Sequence, residues 1–369
     1  MEEENKVPII IGNAAPFRLI VREEDDWEPT LEEINSREYD YVKLHRLSTY
    51  LDIGIRPFSL GMAFDGSLVL PATDKFRDKD VALDKFNEVL AHLLFGGIYT
   101  EAVSPEDITF GTLTFDGYSR SISSSSGAVA KFHQAIRQKH VGTIDVISLL
   151  NPCTLNVEDL ESAYKKGRDT LSPIKQLSSG ILLSGVTYFV RHQWSESLVT
   201  LWTIIEQLVS HIWDTEVINR KDGEITGRKK FLRDYRTWTT STRVEVLYQN
   251  DLISKNEYAL LNNARKARND FVHSGVVPTK DNASACIEVL FKLVSLIISN
   301  YADSQSLNGV LESVTGNLRG PLVPEGKVIL EEQVSHWLEI PPIPGDVNWG
   351  DKEYEVIDSL VLQPVDKSV

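Results

Sequence analysis

Four long segments with apolar residues three and four positions apart follow one another after about residue 156, and they constrain the fold more than any other feature of the chain. They are 173–192 (PIKQLSSGILLSGVTYFVRH), 196–213 (ESLVTLWTIIEQLVSHIW), 254–272 (SKNEYALLNNARKARNDFV) and 282–301 (NASACIEVLFKLVSLIISNY). In the second, Leu198, Leu201, Trp202, Ile205, Leu208, Val209 and Ile212 share one stripe, the spacing of a helix that buries one face. Four such stripes bury themselves against one another, so the sequence predicts an all-α helical bundle over residues 156–305.

Upstream, the pattern is mixed. VPIII (7–11), FRLIV (17–21), MAFDGSLVL (62–70) and ITFGTLTFDG (108–117) are rich in β-branched and aromatic residues, and two of them contain Asp-Gly turn signals. Between them, residues 80–97 (DVALDKFNEVLAHLLFGG) show helical spacing ending in paired glycines. Residues 1–155 therefore read as an N-terminal mixed α/β domain with a sensing or regulatory role, and the fold class as α+β. The serine run at 123–126 reads as a loop, and Asp65 and Asp116 as turn residues. Residues 306–369 are sparse in periodicity and contain PPIPG, which predicts an extended acidic C-terminal arm.

Charge is unevenly placed. The formal net charge is -15, yet residues 1–40 hold twelve Asp/Glu against four Lys/Arg, and residues 325–369 hold ten against three, so the two ends account for all of it. Within the neutral middle, residues 219–243 carry eight Lys/Arg against three Asp/Glu. This local positive potential is what a polyanion would meet, whereas the overall sign argues against a general nucleic-acid coat. Two cysteines, Cys153 and Cys286, without metal-ligand spacing fit a reduced, cytoplasmic setting, and no apolar run nears the length of a membrane span. An acidic rather than basic N-terminus does not read as a secretory signal.

The third bundle segment carries the chemistry. On an ideal helix Leu260, Ala264, Ala267 and Phe271 fall within about 60° of arc, while Arg268, Asn269 and His273 lie on the flanking polar face. Asn269 and His273 are an i, i+4 pair, so the amide is placed to hold the imidazole. Arg268 and His273 lie about 140° apart and converge only if the arginine bends across, the helix loosens near Gly275, or a second copy supplies one of them.

The run R-N-D-F-V-H (268–273) fits the Rx4-6H signature, and the chain over roughly 156–305 resembles the HEPN superfamily, specifically its Apea-like ribonuclease branch; SLVTLWTIIEQL resembles the helix that carries a glutamate, here Glu206, ahead of the motif. The resemblance implies a metal-independent endoribonuclease in which the ribose 2′-OH attacks the adjacent phosphate to leave a 2′,3′-cyclic phosphate. His273 would exchange the proton, Arg268 would stabilise phosphoryl charge, Asn269 would orient His273 or a phosphate, and Glu206 would support Arg268. It implies no cofactor or metal and a homodimer or higher even oligomer. It also implies a toxin or anti-phage abortive-infection role with a phage-derived or nucleic-acid trigger. Arg228, Lys229, Lys230, Arg233, Arg236, Arg265 and Lys266 would contact the RNA backbone, with Tyr235 and Trp238 available for stacking on bases. The alternative is a noncatalytic bundle that binds a nucleotide or a partner protein; on that reading Arg268 is a surface residue and His273 caps the helix C-terminus.

Overall fold

In β1 (Lys6–Gly12) three consecutive isoleucines alternate between the two faces of a strand. Ile9 and Ile11 enter a small apolar cluster with Leu47, Ala63 and Val69, while Ile10 joins Leu60, Met62, Leu68 and Leu70 on the opposite face. Burial on both faces fits the interior place of β1 in a six-stranded antiparallel sheet. The other strands are β3 (Leu47–Ile55), β4 (Phe58–Ala63), β5 (Leu68–Pro71), β6 (Ile108–Thr114) and β7 (Ser119–Ser121), in the order β3–β4–β5–β1–β6–β7. The outer strands curl toward each other: Arg46 bridges Tyr118, and the Leu47 N–H donates to the Gly117 carbonyl at 2.8 Å. A separate parallel pair joins β2 (Arg18–Val21) to β8 (Cys153–Asn156). This computed structural model describes residues 6–219, 225–298 and 305–318.

The helix expected at 80–97 is α2 (Lys79–Phe95), following the short α1 (Leu31–Asn35). Its side chains Phe86, Val89, Leu90 and Leu93 belong to the same core as Ile10 and Leu60 of the sheet. On its other side α2 packs against α5 (Val157–Leu171) and α6 (Ser179–Val190), with α3 (Ala128–Arg137) and α4 (Thr143–Leu150) lying between in sequence. Glycine makes the α2–α5 approach feasible: a Cβ on Gly167 would stand 1.7 Å from the His92 carbonyl oxygen, and one on Gly96 would stand 2.0 Å from that of Ala163. The core then runs through α7 (Trp194–Ile212), which bears the predicted Leu198–Ile212 stripe, all of it buried, to α10 (Lys255–Ser274) and α11 (Lys280–Ile298).

The fold is α+β, a strand-rich N-terminal part followed by helices. The expected domain boundary at 155/156 falls where β8 runs directly into α5, but the packing is continuous across it, because α2 of the first part is sandwiched between sheet and bundle. The described residues all lie within one compact unit, Met1–Arg319. The extended arm expected from 306 begins instead as a helix, α12 (Gln305–Gly316), whose Leu307, Val310 and Val314 share one face and are buried in the same core. The remainder of that segment, including PPIPG, lies outside the described residues. The serine loop is tied down: the Phe110 N–H donates to Ser123 Oγ at 2.7 Å, and Gln134 Nε2 donates to the Ser123 carbonyl at 2.9 Å.

The helix that carries the motif is bounded by clear local signals. Ser254 Oγ accepts the Glu257 N–H at 3.3 Å while Glu257 accepts the Ser254 N–H at 2.6 Å, a reciprocal capping box, and Gly275 ends the helix at φ 69°. Ser254→Ala is expected to lower the unfolding free energy by about 1 kcal/mol, measured by urea denaturation. A loss indistinguishable from zero would mean that the cap does not stabilise α10.

Candidate functional site

Only Leu261 and Ala264 of α10 are fully buried, and its last two turns stand largely clear of the core. Arg268 is half-buried. Its Nη1 donates to the Asn269 Oδ1 at 3.1 Å, and its Nε is buried without a hydrogen bond. A guanidinium has five N–H donors, so most of the donor capacity of Arg268 is unspent. His273 is exposed, in the last helical turn, and its imidazole makes no hydrogen bond among the described residues.

Two expectations change here. Asn269 does not hold His273; its amide oxygen is turned toward Arg268 and fixes the guanidinium instead. The helix does not loosen before Gly275 either, since α10 is regular through Ser274, so the wide angular separation of Arg268 and His273 persists within one chain.

Glu206 is placed elsewhere. It accepts the Trp202 Nε1–H at 2.9 Å and the Thr240 hydroxyl at 3.4 Å, and it makes no ion pair with Arg268. It therefore ties α7 to the start of α9 (Thr240–Gln249). Asp270, inside the motif, forms no ion pair among the described residues, and no salt bridge among them neutralises Arg268 or His273.

The basic segment folds onto the end of α7, which continues as a π-helical turn over Trp213–Ile218. Buried Trp213 donates its Nε1–H to the Leu232 carbonyl at 2.9 Å, fixing α8 (Arg228–Arg233). Arg228 is spent on structure: its Nη1 and Nη2 donate to the Ile218 and Val217 carbonyls at 2.9 and 3.0 Å, capping the π-turn. Arg233 approaches Asp214 at 3.6 Å as an exposed pair, and Arg265 makes only long contacts, 3.4 Å, to Asn262. Lys229, Lys230, Arg236 and Lys266 are exposed and unpaired among the described residues. Trp238 packs against Trp213 and Phe231, so it is a packing residue, whereas Tyr235 is 71% exposed. Gly227, Lys230, Phe231, Arg233, Asp234 and Tyr235 line an open hollow of about 660 Å³. Both α9 and α10 also pack on α7, so the basic segment and the motif hang on one helix.

A second cluster of ionisable groups was hidden in the sequence. Asp65, at the β4–β5 turn, is fully buried, with His133 Nδ1 at 2.7 Å from one carboxylate oxygen and Arg137 Nη2 at 2.7 Å from the other. Burial alone would raise the Asp65 carboxyl, but the adjacent charges of Arg137 and His133 outweigh it and hold it well below the usual carboxylate range. His133 Nε2 lies 3.2 Å from the Ala14 carbonyl, and Ser67 Oγ 3.1 Å from Nδ1, so both ring nitrogens are occupied, whereas Arg137 Nε is buried without a hydrogen-bond partner. The i, i+4 spacing of His133 and Arg137 was the one local signal; their partner lies 68 and 72 positions away in the chain.

Among the described residues no group of three or more His, Cys, Asp or Glu side chains is placed to hold a metal ion, and no helix is long and apolar enough to cross a membrane. Cys153 is exposed and free, and Cys286 is free in the core, where burial pushes its thiol far up. Comparison with family models, curated proteins and solved structures returned no match.

Proposed function

We propose that the chain is a metal-independent endoribonuclease acting as a homodimer, with Arg268 and His273 at its centre. The observation that carries this reading is the state of these two groups: a half-buried guanidinium with unspent donors and an exposed imidazole, on the same helix end, neither neutralised by a carboxylate. In such a site the imidazole takes the proton of the ribose 2′-OH or delivers one to the departing 5′-oxygen, because histidine exchanges protons near neutral pH. The guanidinium, permanently charged and held by Asn269, stabilises the charge that gathers on the phosphoryl oxygens. The products are a 2′,3′-cyclic phosphate and a free 5′-OH.

Two further features support the reading. Lys229, Lys230 and Arg236, with exposed Tyr235 and Phe231, offer phosphate attraction and ring faces to an unpaired strand. Val272, Val276 and Val277 stand 48%, 58% and 71% exposed around His273, an apolar collar suited to a second copy. A toxin or abortive-infection role released by a phage-derived or nucleic-acid trigger belongs to the same proposal, as does cytoplasmic action.

His273→Ala in the purified dimer is expected to reduce cleavage of a labelled single-stranded RNA by at least about 100-fold, with wild-type cleavage undiminished by EDTA and its products ending in cyclic phosphate. Unchanged cleavage by the variant rejects the assignment. Cleavage abolished by EDTA rejects the metal-free mechanism, and intact RNA with tight nucleotide or protein binding favours the noncatalytic bundle.

A further inference from the structure

The sheet carries a second, differently built concavity at its β6–β7 end, on the face of β1 that Lys6 shares with Ile10. Strand register puts Lys6 of β1 directly opposite Thr114 of β6, and Arg120 of β7 directly opposite Thr112. Directly paired residues share a face, and Thr112 and Thr114 are two apart on one strand, so all four side chains project the same way. Leu113, between them, points into the small apolar cluster on the other side. Lys6 and Arg120 are thus two strand spacings apart across the sheet and two residues apart along it, about 12 Å between backbones, with two hydroxyls between them.

Facing this quartet are the 3₁₀ turn Lys43–His45 and α3, and together they enclose a hollow of about 600 Å³. That is within the roughly 300–1,000 Å³ of small-molecule sites and much more than one inorganic anion fills. No Asp or Glu lines it, although carboxylates outnumber cations 53 to 38 in the chain. The buried carboxylate behind it, Asp65, is already neutralised by Arg137 and His133. Lys6 and Arg120 form no ion pair among the described residues, so their charge is unspent. Lys139, whose Nζ sits 4.4 Å above the Tyr41 ring, adds a third cation at the rim.

The rest of the lining suits a planar, hydrogen-bonding ring. Tyr41 and Tyr118 are half-buried in the wall. His45 is fixed by two carbonyls, Nδ1 at 2.7 Å from Ser119 and Nε2 at 3.2 Å from Arg137. Gln134 donates its amide N–H to Ser123, which leaves its carbonyl oxygen free to accept from an exocyclic amine. We propose that this hollow binds a nucleoside monophosphate, the phosphate held between Lys6 and Arg120 over Thr112 and Thr114, and the base against Tyr41 and Tyr118 with Gln134 reading its edge. The site stands on the N-terminal part alone and does not rest on the ribonuclease reading.

Titration calorimetry of the full-length protein with AMP tests it. AMP is expected to bind with one site per chain and to raise the unfolding temperature. Adenosine and inorganic phosphate are each expected to bind at least about tenfold more weakly, and the double variant K6A/R120A to weaken AMP by about tenfold or more at unchanged stability. Both side chains are exposed, so loss of folding is not the expected result. No heat or thermal shift with millimolar AMP overturns the proposal. So does full AMP affinity in K6A/R120A, or its loss in K229A/K230A instead, which would place the nucleotide on the basic segment. Phosphate binding as tight as AMP overturns recognition of the base.

Discussion

Asp65→Asn is expected to lower the unfolding free energy by about 3–5 kcal/mol, among the largest stability losses that any single polar substitution in this chain would produce. The substitution keeps the shape and removes the charge. It leaves the guanidinium of Arg137 and the imidazole of His133 buried side by side, with no counter-charge within the cluster. The neutral amide can still accept one of their hydrogen bonds, but its NH2 then faces donors rather than acceptors, so the loss exceeds a missing Coulomb attraction. Urea denaturation measures it; a change below about 1 kcal/mol would mean that water reaches the cluster and screens it. Asp65→Asn combined with Arg137→Met removes both charges and is expected to recover part of the loss, the coupling expected of a true pair.

The same network sets an acid limit on stability. The Asp65 carboxyl is depressed in the folded state relative to the unfolded chain, so the unfolded chain binds the proton first as pH falls. Its stabilising contribution is therefore complete above the ordinary aspartate range, about pH 4, and is lost progressively below it. In Asp65→Asn this acid-side decline is expected to flatten. Titrating the two proteins in parallel separates this contribution from that of the other carboxylates.

How legible these features were follows from what each depends on. The stripes of α6, α7 and α11 were readable because large aliphatic residues at helical spacing leave few alternatives, and the central strand because three isoleucines in a row fit a strand buried on both faces. In α10 the expected stripe of Leu260, Ala264, Ala267 and Phe271 was only partly right, since Leu261 and Ala264 are the fully buried residues and the other three are half-buried. Helix α5 escaped notice because its close approach to α2 runs through Gly167, where a Cβ would stand 1.7 Å from the His92 carbonyl oxygen, and a glycine in mid-helix reads locally as a helix weakener. Helix α12 was missed because only four large apolar residues, Leu307, Val310, Leu311 and Val314, anchor it, in a stretch that also holds two glycines and several polar residues. At the candidate site, the helix face and its end at Gly275 were legible, but the partner of Asn269 was not. An i, i+4 pairing with His273 and an adjacent pairing with Arg268 fit the sequence equally well, and side-chain direction decides between them. Asp65 was legible only as a turn residue, since nothing local reports that His133 and Arg137 fold over it.

A mixture of the Arg268→Ala and His273→Ala proteins, each inactive alone, is expected to recover about a quarter of the wild-type RNA cleavage after the subunits exchange. The reason is geometric. On a regular helix the two residues point about 140° apart, and α10 is regular through both. Arg268 is further committed toward Asn269 on its own chain, so reaching back to the imidazole of the same helix would break that hydrogen bond. A two-fold partner docked on the valine collar around His273 supplies the missing group without distorting either helix. In a random mixture half of the dimers pair one variant with the other, and each of these retains one intact guanidinium and one intact imidazole, on opposite chains, serving half of the wild-type arrangements. Native mass spectrometry establishes that mixed dimers have formed. If they have, and cleavage stays at the level of the separate variants, the site is contained within one chain and the shared groove is wrong. A collar variant, Val276→Ser with Val277→Ser, tests the same geometry from the other side: dissociation to monomers should abolish cleavage even though Arg268 and His273 are intact. Full activity from those monomers would leave the shared site no role.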